Sequence, residues 1–191
     1  MANDGSGNTR RMLRQALAVP LGCVLVALVL SGCATTTPPT PTPTDTSIFA
    51  SEEEALAAAT DVYQQYNAAF DEALATGGGD MSALGELTTP EHLEELAEPG
   101  MIDENGWHTD GSSSFEIIEV ASFESSADGI EISLNLCRDL SAVRILDSSD
   151  SDVTPDDWPQ LVGLNVRFRE SQDAGTPLVV SKVNSWSPNI C

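Results

Sequence analysis

The sequence predicts an α+β domain in which helices come first and an antiparallel sheet follows. Three observations carry that expectation. Apolar residues recur at intervals of three and four from Leu56 to Leu74, and at intervals of two from Phe115 onward. Pro99-Gly100 separates the two regimes. About 145 of the 191 residues follow position 46, which suits one core and not two.

Ser51, with Glu54 three residues on, forms a capping box, and Glu52 to Glu54 suit the positive end of a helix dipole. Leu56, Ala59, Tyr63, Tyr66, Phe70 and Leu74 then mark one apolar stripe on a long helix, which "TGGGD" at 76–80 stops. Asp80 is placed to cap a short helix over residues 81–87. Thr89-Pro90 opens another, with Thr89 as its cap and proline at the first helical position. Trp107-His108 falls in a glycine-flanked loop, where it either covers a pocket mouth or plugs the end of the sheet.

Strands are expected over 115–123, 130–137, 143–146, 162–169 and 178–186. In the second of these, Ile130, Ile132, Leu134 and Leu136 alternate with Glu131, Ser133, Asn135 and Cys137. That pattern predicts one buried face, with Cys137 pointing the other way.

The N-terminus reads as an export signal. Arg10, Arg11 and Arg14 form a positive head, and residues 17–30 are apolar apart from Pro20, Gly22 and Cys23. The run is shorter than the ~20 residues of a spanning helix and carries a proline. Leu30-Ser31-Gly32-Cys33 resembles the lipobox of bacterial lipoproteins. There the small residues admit a peptidase, and the cysteine thiol takes a diacylglycerol and becomes the first mature residue. Each buried CH₂ of such acyl chains (palmitate, for example) contributes ~0.8 kcal/mol, and two chains hold where one would leave. Arg10-Arg11 invites a twin-arginine reading, but Met12-Leu13-Arg14 fits it poorly, so the general secretory route is expected. The chain then divides into a signal peptide (1–32), a lipidated cysteine with a Thr/Pro-rich disordered tether (33–47) and an α+β domain (48–191). Prolines 38, 39, 41 and 43 favour an extended tether, at ~3.1 Å per residue.

Charge excludes some partners. The chain has 8 basic and 30 acidic residues, a net charge of −22, and loss of residues 1–32 would take it to −24. Nucleic-acid binding needs Lys and Arg to neutralise phosphate, and is not expected. A basic grip on anionic lipid is equally disfavoured, so membrane attachment is expected to come from the lipid on Cys33. One lysine, with abundant Ala, Thr, Gly and Pro, suggests a GC-rich, actinobacterial genome.

Four cysteines sort by position. Cys23 leaves with the signal and Cys33 takes the lipid. Cys137 and Cys191 remain as an even pair in an exported domain, where a disulfide is expected. They lie 54 residues apart, for which the chain-entropy model gives about 4 kcal/mol. His92 and His108 are not spaced as a zinc pair. The acidic stretch "DSSDSDVTPDDW" at 147–158 fails as an EF-hand loop, because Asp152 and Trp158 stand where Gly and Glu are needed. No metal or other cofactor is expected.

"SEEEALAAATDVYQQYNAAF", the helix after "TTPEHL", "CRDLSAVRILD" and the terminal span from Trp186 to Cys191 together resemble a group of actinobacterial lipoproteins of unknown function. Their domain is similar to the cone-shaped α+β fold of the nuclear transport factor 2 type, related to polyketide cyclases and ketosteroid isomerases. The resemblance implies a long helix across a curved antiparallel sheet, with a pocket between them lined by Tyr63, Tyr66, Phe70 and Trp107. It also implies that a homodimer could form through the outer sheet face.

Two functional classes are open to such a chain. The first is a non-catalytic binding or interaction module, held at the extracytoplasmic face of the membrane and serving a small ligand or a protein partner in the envelope. The second is an isomerase- or cyclase-type enzyme, with Tyr63 and Tyr66 as oxyanion donors and Asp139 or Asp103 as base. Core packing for the tyrosines and an Asx turn for Asp139 favour the first, and no catalytic residue is assigned.

Overall fold

The computed structural model describes residues 48–172, 176–186 and 191. Cys33 and the tether therefore lie outside the described residues.

Helix α1 runs from Glu52 to Ala75. The Ser51 hydroxyl accepts from the Glu54 N–H at 3.2 Å, as the capping box requires. The Glu54 carboxylate reaches one residue further back than expected, accepting from Ala50 N–H at 2.8 Å. Three glutamates occupy the first turn, where the unpaired N–H groups favour negative charge. The helix ends in two left-handed glycines, Gly77 (φ +75°) and Gly78 (φ +79°), and the Gly78 N–H closes on the Ala73 carbonyl at 2.7 Å.

Three short helices come next: α2 (Ser82–Gly85), α3 (Pro90–Leu96) and α4 (Met101–Asn105). Helix α2 is shorter than the 81–87 expected. Asp80 does accept from the Ser82 N–H, at 2.9 Å. Leu87 to Thr89, however, leave the helix and run along the edge of the last strand: Val180 N–H donates to Leu87 O at 2.8 Å and Thr89 N–H to Val180 O at 2.9 Å. An open strand edge supplies partners that one more helical turn cannot. Helix α3 begins where the sequence predicts, with the Thr89 hydroxyl accepting from His92 N–H. Helix α4 is not among the expected elements; it is a single turn after Pro99-Gly100, closed by left-handed Gly106.

Strands β1 (His108–Asp110), β2 (Ser114–Ser126), β3 (Gly129–Asp139), β4 (Arg144–Leu146), β5 (Leu161–Glu170) and β6 (Leu178–Ser185) complete the domain. Four form an antiparallel sheet in the order β2-β3-β5-β6, and β1 pairs with β4 in a separate two-stranded ribbon. His108, which the sequence places in a loop, thus opens a strand opposite Leu146. Register shifts interrupt β2 against β3 at Ile117/Glu119 and Val120/Ser122, and β5 against β6 at Arg167/Phe168. Such bulges bend a strand and increase its twist.

The core lies between α1 and one sheet face. Ala55 and Ala59 are fully buried and bring the helix backbone close to the strands. Val62, Tyr63 and Tyr66 meet Ile132, Leu134, Leu136, Val166 and Phe168 from the sheet.

The other face of β3 departs from the expected pattern. Ser133, Asn135 and Cys137 are buried too, so the strand is covered on both sides. The cover is polar. Asn135 donates to Glu119 Oε1 (2.8 Å), and Asn165 donates to Asn135 Oδ1 (2.7 Å) and to Ser133 Oγ (2.8 Å). These residues stand side by side in the β2-β3-β5 register. β3 is a central strand, so long side chains from both neighbours close over its outer face, and amides survive there because each finds a partner.

Cys137 is bridged to Cys191, with a Cα separation of 5.6 Å. The two flanking strands are not neighbours, because β5 lies between β3 and β6. Gly163 is the residue opposite Cys137. Just beyond β6, Trp186 N–H is held on Gly163 O at 2.8 Å.

Candidate functional site

Helix α1 carries a polar stripe beside its apolar one. Tyr63, Asn67 and Asp71 stand at i, i+4 and i+8 on one face. Asn67 and Asp71 meet the loop between β1 and β2. Ser113 N–H donates to Asp71 Oδ2 at 2.8 Å, and Asn67 Nδ2 donates to Ser113 Oγ at 3.0 Å. Arg138, arriving from β3, completes the cluster. Its Nη2 donates to Asp71 Oδ1 at 2.5 Å and its Nε to Ser113 Oγ at 2.9 Å. Ser113 Oγ, accepting from both, directs its own proton toward the Asp71 carboxylate, 2.9 Å away. The guanidinium also sits over the Phe70 ring, 5.0 Å from its centroid. Only 12% of the Arg138 side chain and 13% of Asp71 reach solvent.

Above this cluster runs an open groove of about 540 Å³, bounded by the α1 face from Gln64 to Ala75 and by Gly111 to Phe115. Gln64, Glu72 and Ser112 are among its lining side chains. Gly111 is left-handed at φ +92°, and a Cβ there would stand 2.0 Å from the Ala142 carbonyl oxygen. Only glycine lets this loop turn where it does.

A second polar chain crosses the core edge. Tyr66 Oη lies 3.2 Å from His92 Nε2, His92 Nδ1 lies 3.3 Å from Glu95 Oε2, and Lys182 Nζ donates to Glu95 Oε1 at 2.7 Å. His92 is only 3% exposed. The chain links α1, α3 and β6. Hydrogen bonds from Lys182 and His92 hold the Glu95 carboxyl below its usual range.

Of the four residues expected to line a pocket, Tyr63 and Tyr66 are buried, their rings stacked at 5.8 Å, and Phe115 meets Tyr63 edge-on at 4.7 Å. Phe70 is half-buried and stacks on Tyr66 at 6.1 Å. Trp107 is half-buried at the junction of α4 and β1, with its backbone N–H on Ile102 O. Burial raises the Tyr63 hydroxyl to about 12, with Arg138 lowering it and Asp71 raising it further. Tyr66 is raised for the same reason, and by Tyr63 beside it. Of the two hydroxyls, that of Tyr66 meets the His92 ring.

Asp139 turns the chain, accepting from Ser141 N–H at 2.8 Å in the expected Asx geometry. Asp103 Oδ2 accepts from Gly100 N–H at the start of α4. Asp147 is occupied by its own loop, bonding Ser149 N–H at 2.8 Å and Ser151 N–H at 3.0 Å. Hydrogen bonds from Ser149 and Ser151 hold its carboxyl below the usual range. Among the described residues, no three His, Cys, Asp or Glu side chains are grouped to hold a metal ion. No helix among them is long and apolar enough to cross a membrane.

Asn67, Asp71, Ser113 and Arg138 are absent from the sequence-based expectations, and His92 enters those only as a zinc ligand that fails on spacing. The signal that could have found the cluster is the spacing Tyr63–Asn67–Asp71, which puts two polar groups on the inward side of an amphipathic helix. Compared with models of known protein families and with curated proteins, the chain matches none. The architecture itself defines an α+β domain, with one long helix and short helices beside an antiparallel sheet.

Proposed function

We propose that this chain is a lipid-anchored binding module at the extracytoplasmic face of the cell membrane. In this reading the general secretory route exports it, a peptidase removes residues 1–32, and diacylglycerol on Cys33 holds it to the bilayer. The Thr/Pro-rich tether then carries the α+β domain clear of the surface.

The anchoring half is supported by the order of the N-terminal features: basic head, apolar run, then Leu30-Ser31-Gly32-Cys33. The binding half is carried by one observation. The centre of the space between α1 and the sheet is filled by side chains, Tyr63, Leu134 and Phe168 among them, and the polar groove over Asn67 and Asp71 lies open beside it. Asp71 is already engaged by Arg138 and Ser113, so it serves to shape the groove and not to abstract a proton.

Metabolic labelling with a tagged palmitate, with mass spectrometry of the mature chain, tests the anchor. Label on the native chain and none on Cys33→Ala is expected, with the variant released or misprocessed. A mature chain that retained residues 1–32 with Cys33 unmodified would overturn the reading.

A further inference from the structure

The sheet has a free edge whose chemistry is one-sided. β2 pairs with β3 and, among the described residues, has no strand on its other side. An unpaired edge presents N–H and C=O groups to any extended chain that can approach. β2 carries Glu116, Glu119 and Glu124 and no basic residue. It also exposes two aliphatic side chains, Ile118 at 38% and Val120 at 39%.

Beside Val120, at the N-terminal end of α1, lies a notch of about 220 Å³ with Leu56, Phe123 and Ile132 in its walls and Glu52 and Glu53 on its rim. It lies at the far end of α1 from the polar groove, which begins at Gln64. The register shifts leave two unbroken stretches, Ser114 to Ile117 and Ser122 to Ser126, and the second is next to this notch.

A second copy of the chain is a poor occupant. Pairing two β2 strands would lay Glu116, Glu119 and Glu124 of each copy along one another, on chains of net charge −22. Like charges facing across strands are destabilising. The complementary occupant is cationic, extended and equipped with an apolar side chain.

We propose that the β2 edge and the adjacent notch form a docking strip for an extended basic segment of another protein. The segment adds as an edge strand along Ser122–Ser126 and seats one aliphatic or aromatic side chain among Leu56, Val120 and Phe123. Main-chain pairing supplies the register, the notch supplies selectivity, and the glutamates select the sign of charge. This inference uses the same domain as the binding-module reading but a different surface, and it does not depend on the lipid.

The test uses the full chain as its native host processes it, purified from whole-cell extract in non-ionic detergent, and a blocked synthetic peptide alternating lysine with valine. Anisotropy is expected to show binding that weakens as salt rises, with slowed amide exchange over 122–126. The counterpart with glutamate in place of lysine should not bind. Val120→Asp, at an exposed position, and the double change Glu52→Lys with Glu53→Lys should each weaken the lysine peptide by roughly tenfold, about 1.4 kcal/mol. Val120→Asp should leave the melting temperature nearly unchanged, and the double lysine change should lower it only slightly, because it reverses charge at the N-terminal end of α1, with both variants folded at the assay temperature. Absence of binding, equal binding of the glutamate peptide, equal binding by the variants, or self-association through β2 in place of peptide binding would each overturn the proposal. None of these outcomes bears on lipidation at Cys33, which the labelling experiment reads separately.

Discussion

Arg138 of β3 and Asp71 of α1 are ion-paired at 2.5 Å, across 67 residues of sequence. The pair ties the long helix to the centre of the sheet and, through Ser113, to the loop that bounds the groove. Both groups are nearly out of solvent, so removing one partner leaves the other stranded. A lone buried charge keeps its desolvation cost and loses its compensation.

Replacing either partner is therefore expected to destabilise the domain by about 1–3 kcal/mol, since both side chains are mostly withdrawn from water. Asp71→Ala and Arg138→Ala should each show this in urea unfolding. The double variant should cost clearly less than the two singles added together, since it leaves no unpaired charge. Additive losses would mean that the two side chains act independently.

The Cys137–Cys191 bridge fastens Cys191 to the central strand β3. Cys137→Ser and Cys191→Ser should lower the melting temperature alike, by a loss of roughly 2–4 kcal/mol, and the double variant should be no worse than either. Non-reducing peptide mapping of protein exported by its native route checks the bond directly. Free thiols at both positions would refute it.

Tyr66 and His92 meet inside the protein, and both are buried. Tyr66→Phe is expected to cost about 1–3 kcal/mol, because it strips a buried ring nitrogen of its partner. Thermal melts of Tyr66→Phe beside Tyr63→Phe check this, since His92 takes its bond from Tyr66 and not from Tyr63. The Tyr66 substitution should be the more damaging of the two.

Alkaline pH should unfold the domain earlier than its acidic surface alone would require. The Tyr63 hydroxyl is raised from 10.0 to about 12 by burial, so the unfolded state gives up its proton first. The stability that this group contributes is complete below pH 10 and is lost as pH climbs toward about 12. Tyr63→Phe should flatten that part of the stability–pH curve, as tracked by circular dichroism. An unchanged slope would count against burial as the cause.

Much of the domain was legible because the instructions are local. A cap such as Thr89-Pro90, or the alternation from Ile130 to Leu136, acts within a few residues, through backbone sterics and through which face turns inward. Helix α4 escaped for the converse reason: a single turn has no periodicity to read. The candidate site was less legible. Asp71 resembles any solvated helix carboxylate until Arg138 stands over it, and His92 resembles any surface histidine until Tyr66 covers it.

By itself the sequence determined the class of fold, the order of its parts, the face that α1 buries and the cysteines that could pair. Only the tertiary structure decided which distant groups meet: Asp71 with Arg138, His92 with Tyr66, Leu87 and Thr89 with the edge of β6, and Asn135 with both neighbouring strands. The reason is one of range. Periodicity and capping concern neighbours along the chain, whereas a buried polar group takes its partner from whatever packing brings near once water is gone.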